Sequence, residues 1–86
     1  MLTVKRFSAS WCGPCRQLAP VMESVSKKMT EVNFVTIDVD ENKTEAQRYG
    51  IRSVPTVIIE RDGREVTRFS GVRPESSIVQ VINEHK

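Results

Sequence analysis

The stretch Trp11-Cys12-Gly13-Pro14-Cys15 decides the reading of this chain, because it holds both of its cysteines, three positions apart. Two residues at i and i+3 in the first turn of a helix stand on one face, about 5–6 Å apart at Cβ and near disulfide range. Such a pair can pass between dithiol and disulfide. A helix N-terminus presents unpaired N–H groups and the positive end of the macrodipole, so it stabilises a thiolate more than a thiol. Cys12, nearer the tip, gains most. Gly13 lets the backbone approach a bulky substrate, and Pro14 lacks an N–H where the first turn needs none. The chemistry this supports is attack by a Cys12 thiolate on a substrate disulfide, followed by resolution of the mixed disulfide by Cys15.

Working outward, Leu2 to Ala9 reads as a short strand ending just before the cysteines, with the β-formers Val4 and Phe7. From Pro14 to about Met29 the apolar residues Leu18, Met22, Val25 and Met29 fall at helical spacing on one stripe. Pro20 interrupts that helix and is expected to kink it. Asn33 to Asp40 alternates, with Val35, Ile37 and Val39 on one face of a second strand. Strand, helix and strand make a βαβ unit with a parallel pair and a right-handed crossover.

A turn over Asp40 to Asn42 leads to a short helix, Lys43 to Tyr49, capped by Gly50. After a connector, Ile51 to Val54, and Pro55, the β-branched run Thr56-Val57-Ile58-Ile59 marks a strand covered on both faces. Arg61-Asp62-Gly63 carries an Asp-Gly turn signal, and Glu65 to Ser70 completes an antiparallel hairpin. Pro74-Glu75 opens a last helix whose buried side is Ile78, Val79, Val81 and Ile82. The expected fold is α/β: one domain over residues 1–86, a four-stranded mixed sheet with helices on both faces, in the order β-α-β-α-β-β-α.

Composition bounds the function. Eighty-six residues with 38% hydrophobic and 28% charged side chains suit one globular domain with a small core. Eight Arg and five Lys against eleven acids give +2, spread along the chain. The nearest thing to a basic cluster is Arg61, Arg64 and Arg68 at the hairpin, a solvated edge more than a nucleic-acid patch. No apolar run is long enough to span a membrane and the first residues lack a signal-peptide layout, so the expected location is cytoplasmic. Neither nucleic acid nor membrane is an expected partner, and a monomer is expected.

Other readings of the cysteines are weaker. A structural zinc site needs four ligands, and beyond the pair only His85 and carboxylates are on offer. A purely structural disulfide would close a tiny loop and constrain little unfolded-chain entropy. His85 sits at a frayed helix end, and Asp38, Asp40 and Glu41 read as a solvated turn rather than a metal cluster.

Trp11-Cys12-Gly13-Pro14-Cys15, followed in order by Pro20, Asp40, Tyr49-Gly50-Ile51-Arg52, Val54-Pro55-Thr56, Asp62-Gly63 and Gly71, closely resembles the thioredoxin family over nearly the whole chain. The resemblance implies a protein-disulfide reductase with no bound cofactor beyond a redox-active Cys12–Cys15 disulfide. Its implied partners are disulfide-containing proteins and an electron donor, either a thioredoxin reductase or glutathione. It also implies a cis Val54–Pro55 bond beside the cysteines, and a shallow apolar substrate groove bordered by Trp11, Val54, Gly71 and Val72. In such motifs cysteine pKa values fall from roughly 8.5 into a range of about 3.5–7.5, for which thioredoxin is itself a standard example.

Two departures stand out. Most thioredoxins begin with a further strand and helix, and the outline here is similar to glutaredoxins and to short thioredoxin-like proteins of some viruses and archaea. The family's buried carboxylate falls at Arg6 and its lysine partner at Thr36, so the usual proton acceptor for Cys15 is absent. Arg6 is expected to reach solvent along its stem and to favour thiolates, making the protein a weaker reductant than its relatives. The competing functions are a glutaredoxin-like, glutathione-fed reductase, against which Trp11 and the Gly-Pro dipeptide argue, and a non-catalytic binding subunit.

Overall fold

The computed structural model describes residues 1–86. Its elements follow the expected order: β1 (Leu2–Ser8), α1 (Gly13–Lys28), β2 (Asn33–Asp38), α2 (Lys43–Arg48), β3 (Thr56–Arg61), β4 (Arg64–Ser70) and α3 (Glu75–Glu84). They form one four-stranded sheet in the order β2-β1-β3-β4. β1 runs parallel to β2 and antiparallel to β3, and β3 runs antiparallel to β4. The first strand of the chain is therefore central, and its end delivers the cysteines to the middle of one sheet margin.

Period-2 alternation sorts the strands' side chains between two unequal faces. On one, Leu2, Val4, Val57, Ile59 and Phe69 meet the α1 stripe of Leu18, Met22, Val25 and Met29 together with Ile78 and Ile82 of α3. All four residues of that α1 stripe are buried, as their helical spacing requires. Val79 and Val81 are only partly buried, because α3 packs along the line of Ile78 and Ile82 and these two lie on its flanks.

The second face is closed over Phe7 and Ile58, both fully buried. The Phe7 ring lies 5.4 Å from that of Tyr49, at the end of α2. Beside it, Lys5 Nζ donates to the Tyr49 hydroxyl at 2.7 Å and stands 3.2 Å from the Glu60 carboxylate, to which Tyr49 also donates. Thus Thr56 to Ile59 are buried on both faces. α2 is too short to cover β2 as well, and Val35 is left 43% exposed.

β2 also stops earlier than its alternation suggests, at Asp38. The Asp38 carboxylate accepts from the backbone N–H of Asp40 at 2.8 Å and of Glu41 at 3.1 Å, turning the chain out of the sheet. At the hairpin, Asp62 and Gly63 both adopt positive φ, 51° and 84°, as a tight turn compatible with strand twist demands. The hairpin arginines do not form a patch: Arg68 forks onto Glu65 and Arg61 donates to the His85 carbonyl.

Candidate active site

Where β1 ends, the chain turns tightly, with Cys12 N–H bonded to Ala9 O at 3.2 Å, and enters α1. Cys12 is the N-cap of α1: its backbone is extended, and its sulfur accepts from the N–H of Cys15 at 3.1 Å. The capping role usually taken by a hydroxyl or carboxylate oxygen thus falls to a sulfur atom. No acidic side chain sits in the first turn to compete for those N–H groups. Cys12 and Cys15 form a disulfide with their Cα atoms 5.3 Å apart.

Both cysteines are buried, 3% and 2% exposed, against Ala9, Val39 and Val54. Exposure therefore does not distinguish the two sulfurs. Position in the helix does, since only Cys12 caps it. Gly13 lies open on the outside, with nothing within 4 Å of where a Cβ would stand. Pro14 takes its place in the first turn, while Pro20 lies inside α1, which continues through it to Lys28. Its missing N–H deprives the Arg16 carbonyl of the usual helical donor.

Two further segments close on the pair. The Val54–Pro55 bond is cis, and the Val54 carbonyl oxygen lies 3.6 Å from Cys12 Sγ. Gly71, at φ 85°, donates its N–H to the Pro55 carbonyl at 3.0 Å, which ties the loop after β4 to this segment. Val72 follows, 45% exposed. Trp11 stands 65% exposed, its indole N–H bonded to the Asp40 carboxylate at 2.8 Å. Against it opens a cavity of about 170 Å³ walled by Trp11, Val39, Ala46, Ile51, Arg52 and Val54.

Cys12, Cys15, Trp11, Gly13, Pro14, Val54, Pro55 and Gly71 are thus brought together. Val72 adjoins them through Gly71 and does not line the cavity beside Trp11. Asp40, Val39, Ala46 and Ile51 were not among the residues expected at the site. For Asp40 a signal existed: it follows the end of the strand parallel to β1, and ligand sites in such sheets gather beyond the strands' carboxyl ends.

Arg6 and Thr36, the residues of the second departure, touch each other: Arg6 Nη2 donates to Thr36 Oγ1 at 3.0 Å. Arg6 is half-buried, and burial holds its pKa below the usual guanidinium value. The hydrogen bond itself is exposed, so the guanidinium reaches solvent beside β2. His85 closes the last helix, with Nδ1 2.9 Å from the Val81 carbonyl. No cluster of three or more His, Cys, Asp or Glu side chains stands close enough to hold a metal, and no helix is long and apolar enough to cross a membrane.

A vicinal pair at a helix tip, beside a cis-proline and under an exposed tryptophan, is the apparatus of a thiol–disulfide oxidoreductase. The thioredoxin family model matches residues 1–84. The chain is 39% identical over 79 residues to the thioredoxin of Chlamydia caviae, covering 92% of this chain and 78% of that protein. It is 40% identical to that of Bacillus subtilis over 80 residues, covering 92% and 77%. Among solved structures, Fasciola hepatica thioredoxin superposes with a TM-score of 0.93 at 44% identity, covering 99% of this chain and 81% of that one. The Nicotiana alata thioredoxin NaTrxh superposes equally well, TM-score 0.93 at 40% identity, covering 99% and 73%. The chain belongs to the thioredoxin family. Its activity is that of a protein-disulfide reductase, carried by the redox-active Cys12–Cys15 pair.

Proposed function

We propose that the chain works as a single-domain electron carrier in which Cys12 is the attacking thiolate and Cys15 the resolving one. The Cys12 thiolate attacks one sulfur of a substrate disulfide, forming a Cys12–substrate bond and releasing the other sulfur as a thiolate. Deprotonated Cys15 then attacks Cys12 Sγ, forming the Cys12–Cys15 disulfide and releasing the second substrate thiolate. Two electrons pass to the substrate, whose thiolates take up protons from solvent. One observation carries the assignment of roles: the Cys15 N–H is aimed at Cys12 Sγ at 3.1 Å, so the developing anion at position 12 finds a donor already in place.

The substrate segment lies over the shallow surface of Trp11, Val54, Gly71 and Val72, with the Val54 carbonyl available to it as an acceptor. Partners are therefore extended, disulfide-bearing protein segments and a thioredoxin reductase or glutathione that returns the electrons. The working compartment is one where thiols are kept reduced, the cytoplasm. The test is reduction of insulin disulfides by the pure protein, with NADPH and thioredoxin reductase, or glutathione and its reductase, as alternative donors. Turnover with the first pair and not the second supports a thioredoxin-type carrier. Full biological activity of a double Cys12→Ser, Cys15→Ser variant would displace catalysis in favour of a binding role.

A further inference from the structure

Thr56 opens β3 and is buried together with Val57, Ile58 and Ile59. In such a run a hydroxyl is the odd group, since Val has the same branched shape and no polar atom to take out of water. Thr56 is only 3% exposed, yet its hydroxyl is engaged on two sides. It lies 2.7 Å from the Ser53 carbonyl oxygen and 3.1 Å from the Ser70 hydroxyl. A hydroxyl has one proton to give, and a carbonyl can only accept. Thr56 therefore donates to Ser53, and Ser70 must donate to Thr56. A one-way relay from Ser70 through Thr56 to Ser53 thus ties the last residue of β4 to the connector that precedes Pro55.

The relay bears on the residue between its ends. Of the carbonyls just before Thr56, that of Ser53 accepts from the Thr56 hydroxyl, and that of Pro55 accepts from the Gly71 N–H at 3.0 Å. Between them, the Val54 carbonyl takes no backbone N–H and faces Cys12 Sγ at 3.6 Å. The peptide units on both sides of Val54 are pinned, and both fastenings come from the end of β4, one through Ser70 and one through Gly71. A free carbonyl held between two tied ones has few orientations left to it.

We propose that Thr56 is a positioning residue for disulfide exchange: its hydroxyl, supplied with a hydrogen bond by Ser70, holds Ser53 so that the Val54 carbonyl is already aimed when an extended substrate segment docks beside Cys12. This rests on the reading that substrate lies over Val54. A group fixed in advance costs no ordering at the moment of binding, so the relay acts on affinity for peptide-like substrates. The Thr56 hydroxyl has no bond to either sulfur. Sulfur exchange after docking is therefore independent of it, and a small disulfide without a peptide backbone makes no use of it.

The test is single-turnover oxidation of the reduced, intact protein by insulin and by hydroxyethyl disulfide, with free thiols counted after acid quench and alkylation. Thr56→Val keeps the branched shape and deletes the relay. It should raise the half-saturating insulin concentration by about tenfold, the size of one well-made hydrogen bond, with the plateau rate unchanged. Thr56→Ser should restore the original half-saturation, and hydroxyethyl disulfide should oxidise every form equally fast. Ser70→Ala, at an exposed position, keeps the bond from Thr56 to Ser53 and should shift insulin half-saturation by about threefold, the lower end of the same range. An unchanged insulin half-saturation in Thr56→Val overturns the proposal. So does equal slowing toward both disulfides, the mark of a merely loosened fold, and so does a Thr56→Ser variant that behaves like Thr56→Val. Should Thr56→Val not fold, Ser70→Ala decides, and the absence of a shift there overturns the proposal. Failure of the unaltered protein to reduce insulin while it still reacts with hydroxyethyl disulfide sinks the reading of the function itself, before any variant is compared.

Discussion

The backbone N–H of Cys15 points at the sulfur of Cys12 from 3.1 Å, so an anion on Cys12, the proposed attacking group, finds a donor supplied by its own redox partner. Alkylation of Cys12 by iodoacetamide should therefore proceed with a pH midpoint below the roughly 8.5 of a free thiol. In Cys15→Ser the backbone donor persists. That variant should still attack substrate but accumulate the Cys12-linked mixed disulfide, visible by mass spectrometry, whereas Cys12→Ser should form none.

Arg6 places a cation on the α1 side of the sheet, and a nearby positive charge favours the thiolate form of a cysteine. Arg6→Asp should raise the midpoint of Cys12 alkylation. A midpoint that is unchanged or lower in the mutant shows the charge to be too far away or too well solvated to matter.

The indole of Trp11 is held by Asp40 at 2.8 Å, although both residues are exposed. Water competes for such a bond, so Asp40→Ala should cost no more than about 1.5 kcal/mol of stability in urea melts. The effect on turnover should be similarly modest, at most about tenfold in kcat/KM for insulin, because Trp11 gains freedom but remains at the site. The indole N–H resonance should move to a solvent-like shift.

Leu18, on the inner stripe of α1, is fully buried in the core shared with the sheet and α3. Leu18→Ala removes it without collapse of the walls and should destabilise the fold by about 2–5 kcal/mol. In a domain of this size that is a large share of the total, about 5–15 kcal/mol. Urea denaturation monitored by Trp11 fluorescence gives the value directly.

Stability should fall at both extremes of pH, for opposite reasons. The Arg68 guanidinium fork holds the Glu65 carboxyl below its ordinary 4.5, so the pair's contribution is present above that value and lost as pH falls through the lower, folded-state one. Lys5 is raised above 10.5, first by its hydrogen bond with Tyr49 and then by Glu60. Its contribution is full below 10.5 and disappears as pH rises through the higher, folded-state value. Urea midpoints measured with Arg68→Gln and with Tyr49→Phe should show a weaker acid-side and alkaline-side dependence respectively, the remainder coming from the other lowered carboxylates and from the Lys5–Glu60 pair.

The order of elements and the chemistry of the pair were legible in the residues, because both rest on local rules. The α1 stripe has helical spacing, Thr56 to Ile59 is a β-branched run, Asp62-Gly63 encodes its own turn, and a Cys at a helix tip meets N–H groups within three residues of itself. What tertiary structure alone decided depends on which elements stop short. The alternation at Val35, Ile37 and Val39 promised a covered face, yet α2 is too short to reach Val35. The contact of Trp11 with Asp40, like that of Arg6 with Thr36, joins residues about thirty positions apart. No periodicity carries that information, because such pairs are set by strand order and register. Hydrophobic pattern states which side chains must leave water, and packing geometry alone settles which polar partners they bring with them.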